Sequence, residues 1–92
     1  MTRLEQRIEK LKKQFPGIHG IKAGEAWGSA VNSIHLGDAA EGGQIDELPA
    51  ADYYGEFRGG YPWISPKLEA AVKGIGYHIE WYDPGTILAY LD

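Results

Sequence analysis

Three histidines, His19, His35 and His78, and three serines, Ser29, Ser33 and Ser65, are the side chains most suited to proton transfer or nucleophilic attack. None of the serines sits in a nucleophile-elbow pattern. The histidines are far apart in the chain, and none has a partner at metal-ligand spacing. Without cysteine there is no thiolate chemistry, disulfide or zinc–sulfur site. The carboxylates of "GDAAEGGQIDE" (Asp38, Glu41, Asp46 and Glu47) invite a calcium or magnesium reading. The calcium loop of a helix–loop–helix hand, however, needs acids at alternate positions, then a glycine and a distant Glu, and the spacing here differs. "GSAVNS" and "RGGYP" lack the spacing and the lysine of a phosphate loop. No cofactor and no metal site is expected.

The stretch "DYYGEFRGGYPW" has another kind of chemistry. It holds Tyr53, Tyr54, Phe57, Tyr61 and Trp63 with Arg58 in twelve residues. Tyr, Trp and Arg dominate the energetics of protein–protein contacts. The competing reading is that the rings complete the core, since aromatic side chains bury large areas. An RNA-reading strand would alternate its aromatics beside basic residues. Here Gly59-Gly60 and Pro62 interrupt them, and the flank is acidic.

Charge separates the segments further. Residues 1–22 carry six Lys/Arg against two Glu, residues 23–57 carry seven Asp/Glu and no Lys or Arg, and residues 58–92 carry three basic against four acidic side chains. The middle run argues against direct nucleic-acid binding, where phosphate contacts need Lys and Arg. It suits a partner protein with a basic surface. The simpler reading is a solvated acidic loop.

The elements that must hold these groups follow from periodicity. Leu4, Ile8, Leu11 and Phe15 form one helical stripe, Thr2 and Glu5 have capping-box spacing, and Pro16-Gly17 ends the helix. Two extended pieces fit Ile18–Trp27 and Ala30–Leu36, with a helix over Glu25–Ile34 as the alternative. A long acidic and aromatic loop spans about 37–64, with room for a helical turn at Asp46–Leu48 or a strand at Tyr53–Phe57. Ser65 and Pro66 open a second helix bearing Leu68, Ala71, Val72 and Ile75, where Trp63 is placed to staple it to the sheet. "YHIEWYD" and "TILAYLD" read as two strands joined by a loop wider than a tight hairpin, since Pro-Gly favours a type II turn. The second of them is apolar on both faces, as in an inner strand.

The expectation is one small α+β domain over 1–92 with a two-layer architecture. The order helix-strand-strand-helix-strand-strand makes a four-stranded, mainly antiparallel sheet with two helices on one face. No signal-peptide run and no apolar stretch of membrane length is visible, which points to the cytoplasm and to no membrane partner.

The expected function is a non-enzymatic protein-binding module: a small acidic inhibitor or adaptor that occludes a nucleic-acid-binding protein. By analogy, phages and other mobile elements use such domains against CRISPR and restriction systems. The residues expected to meet the partner are Asp46, Glu47, Asp52, Tyr53, Tyr54, Glu56, Arg58 and Tyr61. Two alternatives stay open. One is a small hydrolase or metal-dependent enzyme using His35 or His78 with loop carboxylates. The other is an oligomerising subunit whose apolar final strand pairs with another copy.

Overall fold

The computed structural model describes residues 2–52 and 63–92. The first helix, α1 (Arg3–Gln14), begins at the expected capping box: Glu5 N–H donates to Thr2 Oγ1, and Thr2 N–H donates back to the Glu5 carboxylate. Ile8, Leu11 and, at the C-cap, Phe15 are buried.

Strand β1 (Ile21–Ala23) leads into one helical turn, α2 (Gly24–Trp27), and then β2 (Ile34–Leu36). Both strands are shorter than expected, and the alternative helix is reduced to that single turn. Two contacts explain this. Gly28 takes a left-handed φ of 102° and caps the turn. Gly24 packs so closely on Ser33 that a Cβ there would lie 2.0 Å from Ser33 Oγ.

Inside the 37–64 stretch, β3 (Gln44–Ile45) and β4 (Leu48–Pro49) form a two-stranded hairpin, so Asp46–Leu48 is a reversal of the chain and not a helical turn. Ala51 and Ile64 pair as an antiparallel bridge, and Asp52 N–H donates to the Trp63 carbonyl. The buried residue before the second long helix is therefore Ile64. Trp63 is half-buried with a φ of 62°. The expected strand at Tyr53–Phe57 lies outside the described residues.

Helix α3 (Pro66–Gly74) starts at Ser65, whose carbonyl accepts from Glu69 N–H, but whose side chain makes no capping bond. Strands β5 (Tyr77–Asp83) and β6 (Thr86–Leu91) pair from Tyr77↔Leu91 to Asp83↔Thr86. The connection is thus the tight two-residue one, Pro84-Gly85, and not the wider loop. Gly85 is not left-handed, so the turn is not type II, and an irregularity between Trp81 and Asp83 takes up the strand twist.

The main sheet runs β1-β2-β6-β5, antiparallel throughout, as the sequence predicts. Its register aligns Ala23, Ile34, Ala89 and Ile79 across one face, with Ile21, Leu36, Ile87 and Trp81 in the next row. These residues share one core cluster with Ile8, Leu11 and Phe15 of α1 and Leu68 and Val72 of α3, so both long helices cover that face. The final strand β6 lies inside the sheet between β2 and β5. It has no edge to offer a second copy, which corrects the expectation of pairing through it. Among the described residues no helix is long and apolar enough to cross a membrane.

Tyr77 pins three elements. Its ring is fully buried, its hydroxyl donates to the Asn32 carbonyl at 2.6 Å, and Arg7 of α1 sits over the ring at 5.2 Å with NH1 3.5 Å from the hydroxyl. Tyr77→Phe leaves the Asn32 carbonyl without this donor. It is expected to cost about 0.5–1.5 kcal/mol, the net worth of one hydrogen bond, since Asn32 is exposed and water can reach its carbonyl. Tyr82→Phe, at an exposed ring, is expected to stay within about 0.5 kcal/mol of wild type. Urea midpoints measure both, and equal midpoints for the two variants would remove Tyr77 from this role.

Candidate functional site

Of the eight residues expected to contact a partner, the described structure places three. Asp46 and Glu47 form the tip of the β3–β4 hairpin, and Asp52 stands at the Ala51↔Ile64 bridge. Tyr53, Tyr54, Glu56, Arg58 and Tyr61 lie outside the described residues.

The hairpin tip has unusual geometry. Ile45 pairs with Leu48, which leaves Asp46 and Glu47 as the whole loop, with φ of 53° and 67°. Two consecutive left-handed residues match a type I′ turn, whose favoured sequences are Asn-Gly and Asp-Gly. Glutamate in the second position is held there against its backbone preference. Beside the two carboxylates stands Leu48, which is 56% exposed. Asp46 pairs with Lys67 from the first turn of α3, and both side chains are mostly exposed.

The other acids of the run are spent differently. Asp38 Oδ1 accepts from His19 N–H at 2.7 Å, and Oδ2 lies 3.2 Å from His19 Nδ1. The Glu41 carboxylate lies over Gly85 in the β5–β6 turn, so close that a Cβ on Gly85 would meet it at 2.2 Å. The fold therefore brings Asp46 and Glu47 together on display and commits Asp38 to the scaffold.

The histidines divide by environment. His78 Nε2 lies 2.8 Å from Glu80 Oε2 and Nδ1 lies 2.5 Å from Asp92 Oδ1. With a carboxylate beside each nitrogen the protonated ring is favoured, and the bonds to Glu80 and then Asp92 raise its pKa above the ordinary 6.5. Its partners lie on its own strand and at residue 92, not in the acidic loop. His35 is the reverse case. It is buried on the sheet face away from α1 and α3, where its Nδ1 accepts from Gly37 N–H at 3.0 Å. Burial first, and the Lys22 charge second, lower its pKa. Among the described residues no group of three His, Cys, Asp or Glu is arranged to hold a metal ion.

That second sheet face carries a cluster not anticipated as a unit. Lys22, His35, Leu88 and Glu80 lie in register across the four strands. The Trp27 ring packs on His35 at 5.0 Å, and Tyr82 meets Trp27 edge-on at 4.9 Å. The signal for it was the apolar character of "TILAYL" on both faces, which required a cover for Leu88.

No protein-family model, no curated protein and no solved structure matches this chain. Fold and geometry alone therefore carry the functional reading.

Two outcomes test this geometry. Glu47→Gly should relieve about 1–2 kcal/mol of left-handed strain, less about 0.5–1 kcal/mol for the entropy of glycine. The net expectation is a small rise in the urea midpoint, and a fall would contradict the strained turn. For His78 the folded pKa is raised, so its contribution to stability is full below about pH 6.5 and is lost as pH rises through the folded value. The gap in urea midpoint between wild type and His78→Gln should shrink from pH 6 to pH 9. In proton NMR the His78 ring should titrate above 6.5 and the His35 ring below it. A common midpoint for the two rings would contradict these environments.

Proposed function

We propose that this domain is a non-enzymatic protein-binding module, a small acidic inhibitor or adaptor that engages a basic surface of another protein. The observation that carries this reading is the hairpin tip: two adjacent acids held in left-handed geometry beside an exposed leucine. Backbone strain persists only where surrounding structure enforces it, and it concentrates where a site has work to do. Here it places two exposed acidic residues next to each other at the tip. Aligned carboxylates can take the place of phosphates on a surface built for nucleic acid, so the partner proposed is a nucleic-acid-binding protein. Inhibition of a CRISPR or restriction system by a phage or mobile-element protein is the instance proposed by analogy.

The enzymatic alternative has its best constellation at His78. Both ring nitrogens are engaged by carboxylates of Glu80 and Asp92, so neither is directed at a substrate, and no loop carboxylate stands beside them among the described contacts.

The test starts from a partner captured on the immobilised protein and identified by mass spectrometry. Its association rate should fall as salt rises from about 50 to about 300 mM, because screening shortens the reach of exposed charge. The combined Asp46→Asn, Glu47→Gln and Asp52→Asn variant should flatten that dependence. His35→Ala and His78→Ala, where folded, should stay within about tenfold in affinity, roughly 1.4 kcal/mol. A salt-independent rate in wild type and variant alike, or a turnover that His78→Ala abolishes in folded protein, would overturn the reading.

A further inference from the structure

The hairpin tip overlooks a groove. One hollow of about 490 Å³ lies between α1, the hairpin and α3, lined by Phe15, Ile45, Asp46, Lys67, Ala70 and Ala71, with Gln14 at its end. A second, of about 220 Å³, is lined by the end of α1, the Pro16-Gly17 turn and the hairpin, and adds Glu47. Both are lined by Gln14, Phe15, Ile45 and Asp46, so the two hollows adjoin at these residues. The lining is apolar at Phe15, Ile45, Ala70 and Ala71, and Asp46 and Glu47 add two carboxylates. Lys67 is the one basic side chain among the described residues that line the two hollows, and its ammonium already sits on Asp46.

We propose that this groove receives an arginine side chain of the partner protein, and that Lys67 holds the place until the partner displaces it. The proposal rests on the binding reading above and names the partner chemistry at that same tip. Three physical arguments support it. A long cation with an apolar stem is the side chain that satisfies an apolar lining and carboxylates together. Neighbouring carboxylates favour the guanidinium, which donates through a planar fork, over the point charge of an ammonium. The Lys67–Asp46 pair is exposed on both sides, and such pairs cost little to open.

The test is an NMR titration of the ¹⁵N-labelled full chain at low salt with nona-arginine, nona-lysine and nona-glutamine peptides. Nona-arginine should bind more tightly than nona-lysine, and the amide shifts should concentrate at Gln14, Ile45 to Glu47, and Lys67 to Ala71. Lys67→Gln should tighten nona-arginine by about two- to fivefold, the affinity equivalent of one exposed ion pair. Lys73→Gln, the same change of charge on the same helix, should give a clearly smaller gain. In the Asp46→Asn background, a residue type that tolerates the left-handed turn, the Lys67→Gln gain should vanish. Equal gains from the two lysine variants, or a Lys67 gain that survives Asp46→Asn, would overturn the groove and leave general attraction to basic surfaces standing. Failure of both basic peptides to bind anywhere would overturn the basic-partner reading and the groove with it.

Discussion

The interaction on which the presentation of the hairpin depends is the junction at Asp38. Its N–H donates to the His19 carbonyl at 2.9 Å, and its side chain accepts from His19 N–H at 2.7 Å. Its own carbonyl accepts from Glu41 N–H and Gly43 N–H, both at 2.8 Å. The neighbouring Gly37 is left-handed, and a Cβ there would lie 2.1 Å from the His19 carbonyl oxygen. Two stretches of backbone thus run in direct contact, with one carboxylate serving both. Gln44 N–H then donates to the Gly17 carbonyl, so the first residue of the hairpin is fixed to the turn that follows α1.

A hairpin of two residue pairs has almost no stability of its own in water. It persists here because its base is covered on both sides. Ala39, Ala50, Ala51 and Ile64 are buried in the common core, Ala50 N–H returns to the Gly43 carbonyl, and Ser65 N–H reaches the Ala50 carbonyl. The strain at Asp46 and Glu47 is borne by that base. The same base directs the tip toward α3, where Lys67 meets it.

Much of the architecture was legible because local signals and tertiary packing agree. The stripe from Leu4 to Phe15, the Thr2–Glu5 box, and the alternation of Tyr77, Ile79 and Trp81 each describe a face that the fold buries or half-buries. The reading failed where tertiary contacts overrule local preference. Ser65 stands at a helix start, yet its side chain makes no cap there. Pro84-Gly85 forms a tight connection because the strand irregularity at Trp81–Asp83 absorbs the mismatch in twist. Ile64 carries no periodic signal of its own, yet it is buried where it pairs with Ala51. Asp-Glu at a type I′ turn could not be anticipated, since no intrinsic preference selects that pair for two left-handed positions.

The acidic run illustrates why charge counting alone locates a site poorly. From sequence, Asp38, Glu41, Asp46 and Glu47 are equivalent members of one negative segment. In the fold Asp38 is a backbone acceptor and Glu41 lies over the β5–β6 turn, while Asp46 and Glu47 project at a tip. Truncating Asp38 would remove the acceptor for His19 N–H and weaken the junction, a structural loss that mimics the loss of a binding residue. Neutralising Asp46 leaves the junction intact and changes only what the tip offers. The physical distinction is the identity of the donor that each carboxylate faces. A backbone N–H fixed by the fold makes an acid part of the scaffold, whereas an exposed ammonium on a flexible stem, as at Lys67, is a partner that another cation can replace.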